Sequence, residues 1–395
     1  MKVLLVSDFY PPWPGGLEAH VARLARHLQG RGHRVDVATV GAGTPRREPS
    51  GVEVHPLGLT LQNLPAAYRA GRPFHPPWVD RRFSRTLLSL AARIRPDVIH
   101  AHGWSLFSAA AVGHRLGMPV ISTLHDYGLL CPTKSLSCNG EECRPLCGLC
   151  CLRCTGSDQS PPKRIALGLA LRAGRRTLTN RVAHYLAVSS FVAQRHLEHG
   201  IGDDQTMSTV PNFIDLVDNA PTPAPGEGPI LFVGPDATYK GSTLTRNAYA
   251  GLSAGQRRGL HLVGGTVAAA EGDVLRLGRK SGEELWSSYR SASLVAVTPS
   301  WPDPCPTVAL EAMALGRPVV ATAVGGLTDI VCDRQTGLLV PPRDPVALTE
   351  AFRSVLDDPV AARRMGQAAR TRVARRFSAQ VVVPQIERIY TDCLR

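Results

Sequence analysis

Apolar residues follow two alternating rhythms along this chain. Short, β-branched runs recur at 2–7 (KVLLVS), 34–40 (RVDVATV), 96–102 (PDVIHAH), 119–126 (PVISTLHD), 229–234 (PILFVG) and 318–324 (PVVATAV). Their length and unbroken apolarity are those of strands buried on both faces of a parallel sheet. Between them apolar residues return at helical spacing. Leu17, His20, Val21, Leu24, Ala25 and Leu28 form one such stripe, stopped by Gly30 and Gly32. Phe83, Leu87, Leu88 and Leu90 beside Arg81, Arg82 and Arg85 form a second, amphipathic one. HLVGG (261–265) and VLRLG (274–278) read as two further strands. GEELWSSYRS (282–291) is a helix feeding the strand before Thr298, and 337–352 (GLLVPPRDPVALTEAF) reads as a turn and a helix. Strand–helix–strand alternation of this kind predicts an α/β fold.

The stretch 298–329 concentrates the chemistry. Pro299, Pro302, Pro304 and Pro306 keep its first part out of regular helix, because each removes an N–H donor and fixes φ. A helix then starts at Thr307 and Val308, runs through Glu311, and is stopped by Gly316 and Pro318. In open α/β folds ligands bind outside the carboxyl ends of strands, where helix N-termini direct their free N–H groups. Asp303 and Glu311 bracket this helix start, eight residues apart, so the stretch predicts a site for an anion and for hydroxyl groups. Near the chain start, Gly15-Gly16 precede the first helix, where the backbone can approach a phosphate closely or simply turn.

The length of 395 residues calls for two domains. Residues 216–229 (LVDNAPTPAPGEGP) lack apolar periodicity and read as the linker, separating a first domain, 1–215, from a second, 230–377. No apolar run approaches the length that spans a bilayer, and Met1 to Val6 reads as a first strand rather than a secretion signal, so the expected location is cytoplasmic. A formal charge of +13 favours anionic partners: nucleotide phosphates, nucleic acid or an anionic membrane face. The basic segment 162–199, with Lys163, Arg164, Arg172, Arg175, Arg176 and Arg181 around Ile165, Leu167, Leu169 and Leu171, reads as helical. It is either a membrane-surface helix or a solvated flank.

The stretch 298–329 resembles the C-terminal signature of retaining, GT-B-type nucleotide-sugar glycosyltransferases of family 4. That pattern has a Pro-Ser, a Glu, seven residues, a second Glu, then Ala-Met-Ala-x-Gly-x-Pro-Val-Val and a Gly-Gly loop. Glu311 stands at the second Glu, and Asp303, one methylene shorter, at the first; Pro304 and Pro306 replace glycines. The resemblance implies two Rossmann-like domains facing across a cleft, with the final helix, about 378–395, crossing back onto the first domain. It implies that Gly15 and Gly16 lie near the donor diphosphate and that His125, after "PVISTL", approaches the donor sugar. His100 and His102, on one face of an extended segment, read as packed or acceptor-side histidines, with a metal pair the alternative. Asp303 would face the sugar hydroxyls, Glu311 the ribose, and the backbone N–H groups of Cys305, Thr307 and Val308 the donor. Lys240 matches the family's phosphate lysine, while Pro235 stands where the family carries an arginine, leaving Arg279 or Lys280 as replacements. Lys-Gly at 240–241, in place of Gly-Lys, excludes a P-loop.

The implied activity is transfer of a hexosyl unit, with retention and without a catalytic metal or cofactor. The donor would be a nucleotide-diphosphate sugar and the acceptor lipid-linked, a polysaccharide or a small molecule. The basic surface would place the enzyme at the inner membrane face. Two rivals stand beside it: a catalytically impaired sugar-nucleotide or glycan binder, favoured by Pro235 and Asp303, and a zinc-dependent nucleic-acid binder. The latter lacks aromatic residues interleaved for base stacking, so no nucleic-acid partner is expected.

Seven of ten cysteines fall between Cys131 and Cys154. In a reducing compartment, paired CxxC units point to a structural zinc knuckle inserted in the first domain at 131–154. The expected ligands are Cys131, Cys143, Cys151 and Cys154, with Cys147 and Cys150 the alternative pair, and with an iron–sulfur cluster or disulfides as alternative chemistry.

Overall fold

The computed structural model describes residues 1–62, 73–138, 141–143, 154, 160–216, 227–265 and 268–395. Cys147, Cys150, Cys151 and most of the expected linker lie outside them. The chain divides into two compact units. The first comprises Met1–Asn139, Cys143–Pro211 and Val383–Arg395; the second comprises Gly140–Glu142 and Asn212–Val382. The last helix, Ala379–Cys393, begins in the second unit and from Val383 belongs to the first.

Among the described residues, the first unit holds an eight-stranded sheet. Its order is Met207–Thr209, His184–Ala187, Val120–Leu124, Val98–His102, Lys2–Ser7, Arg34–Val40, Glu53–Leu57, Arg46–Arg47. All neighbours are parallel except the last pair. Helices on the faces explain why the strands read as continuous apolar runs. Helix Gly16–Gly30 buries the predicted Val21, Leu24, Ala25 and Leu28. Helix Arg81–Ile94 buries Phe83, Leu87 and Leu90 and leaves its arginines outside. Asp80 caps it by accepting the Phe83 N–H at 2.9 Å. Strand order reverses at Lys2–Ser7 and Val98–His102, so the switch point of this sheet lies where Ser7 and His102 end side by side.

The second unit repeats the plan with seven strands among the described residues. Their order is Ala268–Glu271, Val274–Leu277, Leu260–Val263, Ile230–Val233, Leu294–Val297, Val319–Thr322, Gly337–Val340. Its core gathers Phe232, Leu262, Leu294 and Val320 with Tyr249, Leu348 and Phe352 from the covering helices. The switch point falls between Ile230–Val233 and Leu294–Val297. Strands Leu260–Val263 and Val274–Leu277 run parallel, yet the chain between them carries an antiparallel strand, Ala268–Glu271, rather than a crossover helix.

Three local readings are corrected. Segment 162–199 is not continuous helix: helix Pro161–Arg175 is followed by strand His184–Ala187 and helix Ser190–Leu197. The start of 337–352 is a strand, Gly337–Val340, disguised by its four-residue length between a glycine and two prolines. Strand Glu53–Leu57 was hidden by Pro56, a residue tolerated only toward the margin of a sheet.

Candidate functional site

In the second unit, the two loops that leave the switch point are stitched to each other. After strand Leu294–Val297, the buried Thr298 hydroxyl donates to the Gly241 carbonyl at 3.0 Å and lies 2.8 Å from the Thr245 hydroxyl. Ser300 N–H donates to the Tyr239 carbonyl at 3.0 Å. The contact is close enough to demand glycine: Gly241 has φ +88°, and a Cβ there would stand 1.8 Å from the Thr298 oxygen. These bonds bring Lys240 over the proline loop. Its Nζ lies 2.7 Å from Asp303 Oδ2 and 5.1 Å from the centre of the Trp301 ring.

Asp303 is buried and held by its backbone as well, its carbonyl accepting the Gly326 N–H at 2.8 Å. Gly325, at φ +53°, permits that approach, since a Cβ would meet the Asp303 oxygen at 2.4 Å. Asn212 Nδ2 donates to the Cys305 carbonyl at 3.1 Å. Burial pushes the Cys305 thiol up to about 12, so it stays a thiol and only its backbone is available to a ligand. Helix Thr307–Ala314 then starts behind Pro306 with no side chain capping it. One turn in, Glu311 Oε2 accepts the Tyr289 hydroxyl proton at 2.7 Å. Tyr289 is fully buried, and burial followed by the Glu311 charge holds its phenol well above the usual range. It is a permanent donor that fixes the Glu311 carboxylate. The sequence reading missed Tyr289 because it occupies a core-facing position of helix Gly282–Ser291; its one signal is a phenol where an apolar ring would serve.

Of the two cations expected to replace an arginine at Pro235, Lys280 Nζ donates to the Ser288 hydroxyl at 3.2 Å. A different residue, Arg276, lines a cavity of about 130 Å³ with Gly234, Asp236, Ser242 and Gly265 at the strand ends. Arg276 contacts Asp236 at 3.3 Å and Glu271 at 3.1 Å, while its Nε has no hydrogen-bond partner among the described residues. Sequence spacing could not select it, because it sits inside strand Val274–Leu277 rather than in a loop.

In the first unit, Gly15 and Gly16 open helix Gly16–Gly30, but the Glu18 carboxylate folds over that end: a Cβ on Gly15 would lie 2.2 Å from Glu18 Oε2. His125 follows strand Val120–Leu124 and joins a cluster of histidines. His102 Nδ1 is 3.0 Å from His125 Nε2, and the His20 ring stands edge-on to His125 at 4.7 Å. His100 and His102 are packed residues, their rings 4.2 Å apart; His100 Nδ1 lies 2.6 Å from the Tyr390 hydroxyl and Nε2 2.7 Å from the Thr123 hydroxyl. Burial drives His100 down to about 3 and His102 and His20 well below the usual range, so these three rings are neutral near pH 7. Asp8 lies at the same switch point and accepts the Trp104 and Ser105 N–H groups at 3.0 and 2.6 Å.

Among the expected zinc ligands, Cys131 and Cys154 are both buried. Cys154 interacts with Cys138 and Cys131, which together with burial push its thiol up, and its Sγ lies 3.6 Å from the Ser137 carbonyl. Cys138, left out of the expected set, therefore shares the neighbourhood of Cys131 and Cys154. Among the described residues, however, the thiols do not gather within ligand distance of one point; the group that does is Asp36, Glu53 and His55, where His55 Nε2 is already 2.8 Å from Asp36 Oδ1. No helix among the described residues is long and apolar enough to cross a membrane.

Residues 14–218 match the model of the family described as Glycosyltransferase Family 4, and residues 220–372 match Glycosyl transferases group 1. A glycogen synthase of Mycobacterium tuberculosis is 29% identical over 100% of this chain and 95% of its own length. A D-inositol 3-phosphate glycosyltransferase of Catenulispora acidiphila is 30% identical, covering 87% of this chain and 83% of that protein. Among solved structures, sucrose-phosphate synthase from Thermosynechococcus elongatus superposes with a TM-score of 0.73 at 22% identity, over 99% of this chain and 98% of that one. Anabaena HepE in complex with UDP-glucose gives 0.71 at 18%, over 99% and 100%. The fold is thus of the GT-B type, built of two Rossmann-like units.

Proposed function

The chain belongs to glycosyltransferase family 4, with a group 1 second half, and from that premise we propose that it transfers a hexosyl unit, with retention, from a nucleotide-diphosphate sugar. The observation that carries this reading is the constellation of Lys240, Asp303, the uncapped start of helix Thr307–Ala314 and the Tyr289-fixed Glu311 in one unit. As the glycosidic bond breaks, negative charge grows on the departing diphosphate. Lys240, the N–H groups of Cys305, Thr307 and Val308, and Arg276 in place of the missing arginine stabilise it electrostatically. Asp303 accepts from sugar hydroxyls and Glu311 from the ribose. His125 stands at the reacting centre of the first unit, and the departing phosphate deprotonates the acceptor. Solved neighbours bound to UDP-glucose and to ADP support a nucleotide-sugar donor.

The acceptor is lipid-linked, a polysaccharide or a small molecule, and the exposed Arg172 and Arg176 of the basic segment face an anionic membrane surface. Cys131, Cys143, Cys151 and Cys154 are the four thiols assigned to a structural zinc, with Cys147 and Cys150 the alternative pair. A nucleotide-sugar binder without transferase activity is the reading that Pro235 and Asp303 favour. The test is to screen UDP-, GDP-, ADP- and TDP-sugars for thermal stabilisation, which reaches about 2.7 kcal/mol when ligand is at roughly a hundred times Kd. The stabilising donor is then assayed for transfer. Binding without transfer to any acceptor class supports the binder; absence of binding to every donor overturns both readings.

A further inference from the structure

His102 closes strand Val98–His102, and His125 follows the adjacent strand Val120–Leu124, so parallel pairing sets the two rings side by side. Their planes lie at 30°, with centroids 5.2 Å apart and His102 Nδ1 3.0 Å from His125 Nε2. His102 is fully buried, and its other nitrogen, Nε2, meets no hydrogen-bond partner among the described residues. It is walled by rings, His100 at 4.2 Å and His20 at 6.1 Å. His100 is engaged at both nitrogens, by the Tyr390 and Thr123 hydroxyls, and does not turn to serve His102. Burial, reinforced by the neighbouring histidines, keeps His102 neutral and hence with a single proton.

A neutral imidazole has one N–H and one lone pair. The hydrogen bond between these rings therefore holds one proton. If His102 carries it on Nδ1, His125 accepts at Nε2 and carries its own proton on Nδ1. If His125 donates from Nε2, His102 must carry its proton on Nε2. We propose that His102 is the positioning residue that sets the tautomer of His125: both rings are protonated on like nitrogens, both Nδ1 or both Nε2, and they exchange only together. The inference rests on the reading that places His125 at the reacting centre, where a locked tautomer presents the sugar with one defined group, an N–H or a lone pair.

The experiment is imidazole nitrogen NMR on the full chain labelled with ¹⁵N-histidine, with His125 and His102 assigned from the signals lost in His125→Asn and His102→Phe. Like nitrogens protonated on the two rings are the expected result; opposite nitrogens overturn the proposal. In His102→Phe, which keeps a ring and removes both nitrogens, the His125 ring-nitrogen shifts should change, and kcat should fall about ten- to a hundredfold with little change in the KM for donor. Unchanged His125 ring-nitrogen shifts in that variant also overturn the proposal. If the variant does not fold, the leucine variant His102→Leu gives the same assignment and the wild-type pair remains the test. If the tautomers couple while His125→Asn keeps full kcat, it is the role given to His125 that fails, and the coupling stands.

Discussion

Lys240 and Asp303 hold each other at 2.7 Å, one at the end of a short 3-10 turn, the other in a proline loop sixty-three residues on. The cation proposed for the donor phosphates is thus paired with the carboxylate proposed for the sugar. On the proposed function, donor binding would exchange this one contact for two, without leaving either charge alone in a partly buried site.

Lys240→Ala should lower kcat/KM by about 10²–10³, the scale of losing one electrostatic donor to a developing oxyanion. Asp303→Asn should cost less at the phosphates and more in discrimination among donor sugars. Steady-state kinetics on both variants checks this, and full activity in Lys240→Ala removes the site assignment.

Tyr289→Phe removes the buried phenol donor that fixes the half-buried Glu311 carboxylate. It should cost about 1–3 kcal/mol of stability and weaken nucleotide binding, by calorimetry, without abolishing it. Glu311→Gln should weaken binding further while leaving stability nearer wild type.

Gly241→Ala should destabilise the second unit by about 2 kcal/mol or more, through the combined strain of left-handed backbone and contact with the Thr298 oxygen. A urea midpoint shift measures it.

Acid should weaken the fold early. His100 titrates near pH 3 when folded, against an ordinary 6.5, so between those values the unfolded chain binds more protons. Stability therefore falls as pH drops below about 6.5 and continues to fall until the folded ring itself titrates. His102, His20 and His196, the last lowered to about 4 by burial, add in the same direction. Urea midpoints from pH 7 to 5 should decline, and less steeply in His100→Gln.

Elemental analysis of anaerobically purified protein should find about one equivalent of zinc; less than about 0.2 equivalents of any metal removes the knuckle, because such sites bind tightly.

The central apolar strands of both sheets and the helix at Thr307 were legible because burial on two faces writes unbroken apolar runs and because Gly316 and Pro318 punctuate a helix end; marginal strands such as Glu53–Leu57, His184–Ala187 and Gly337–Val340 were not. Lys240 was singled out only by the family resemblance, Asp303 and Glu311 also by their spacing, and the structure sets Lys240 against Asp303 at 2.7 Å. What stayed hidden depends on pairing across distance. Tyr289 meets Glu311 only once a helix packs on the next, and Arg276 reaches the strand ends only because no helix follows Leu260–Val263 in the usual place. Cys138 joined Cys131 and Cys154 through the fold of the insert, which CxxC counting could not foresee.

That missing crossover has a colloidal side. The second sheet ends in Ala268–Glu271, four exposed residues with one free backbone edge among the described strands. Such an edge invites pairing with another chain. Here it is short, its alanines offer little apolar grip, and Glu271 is clamped by Arg246 at 2.8 Å and Arg276 at 3.1 Å. A charge at the open margin disfavours edge-to-edge association, so neutralising Glu271 should lower solubility and also release Arg276 at the strand-end cavity.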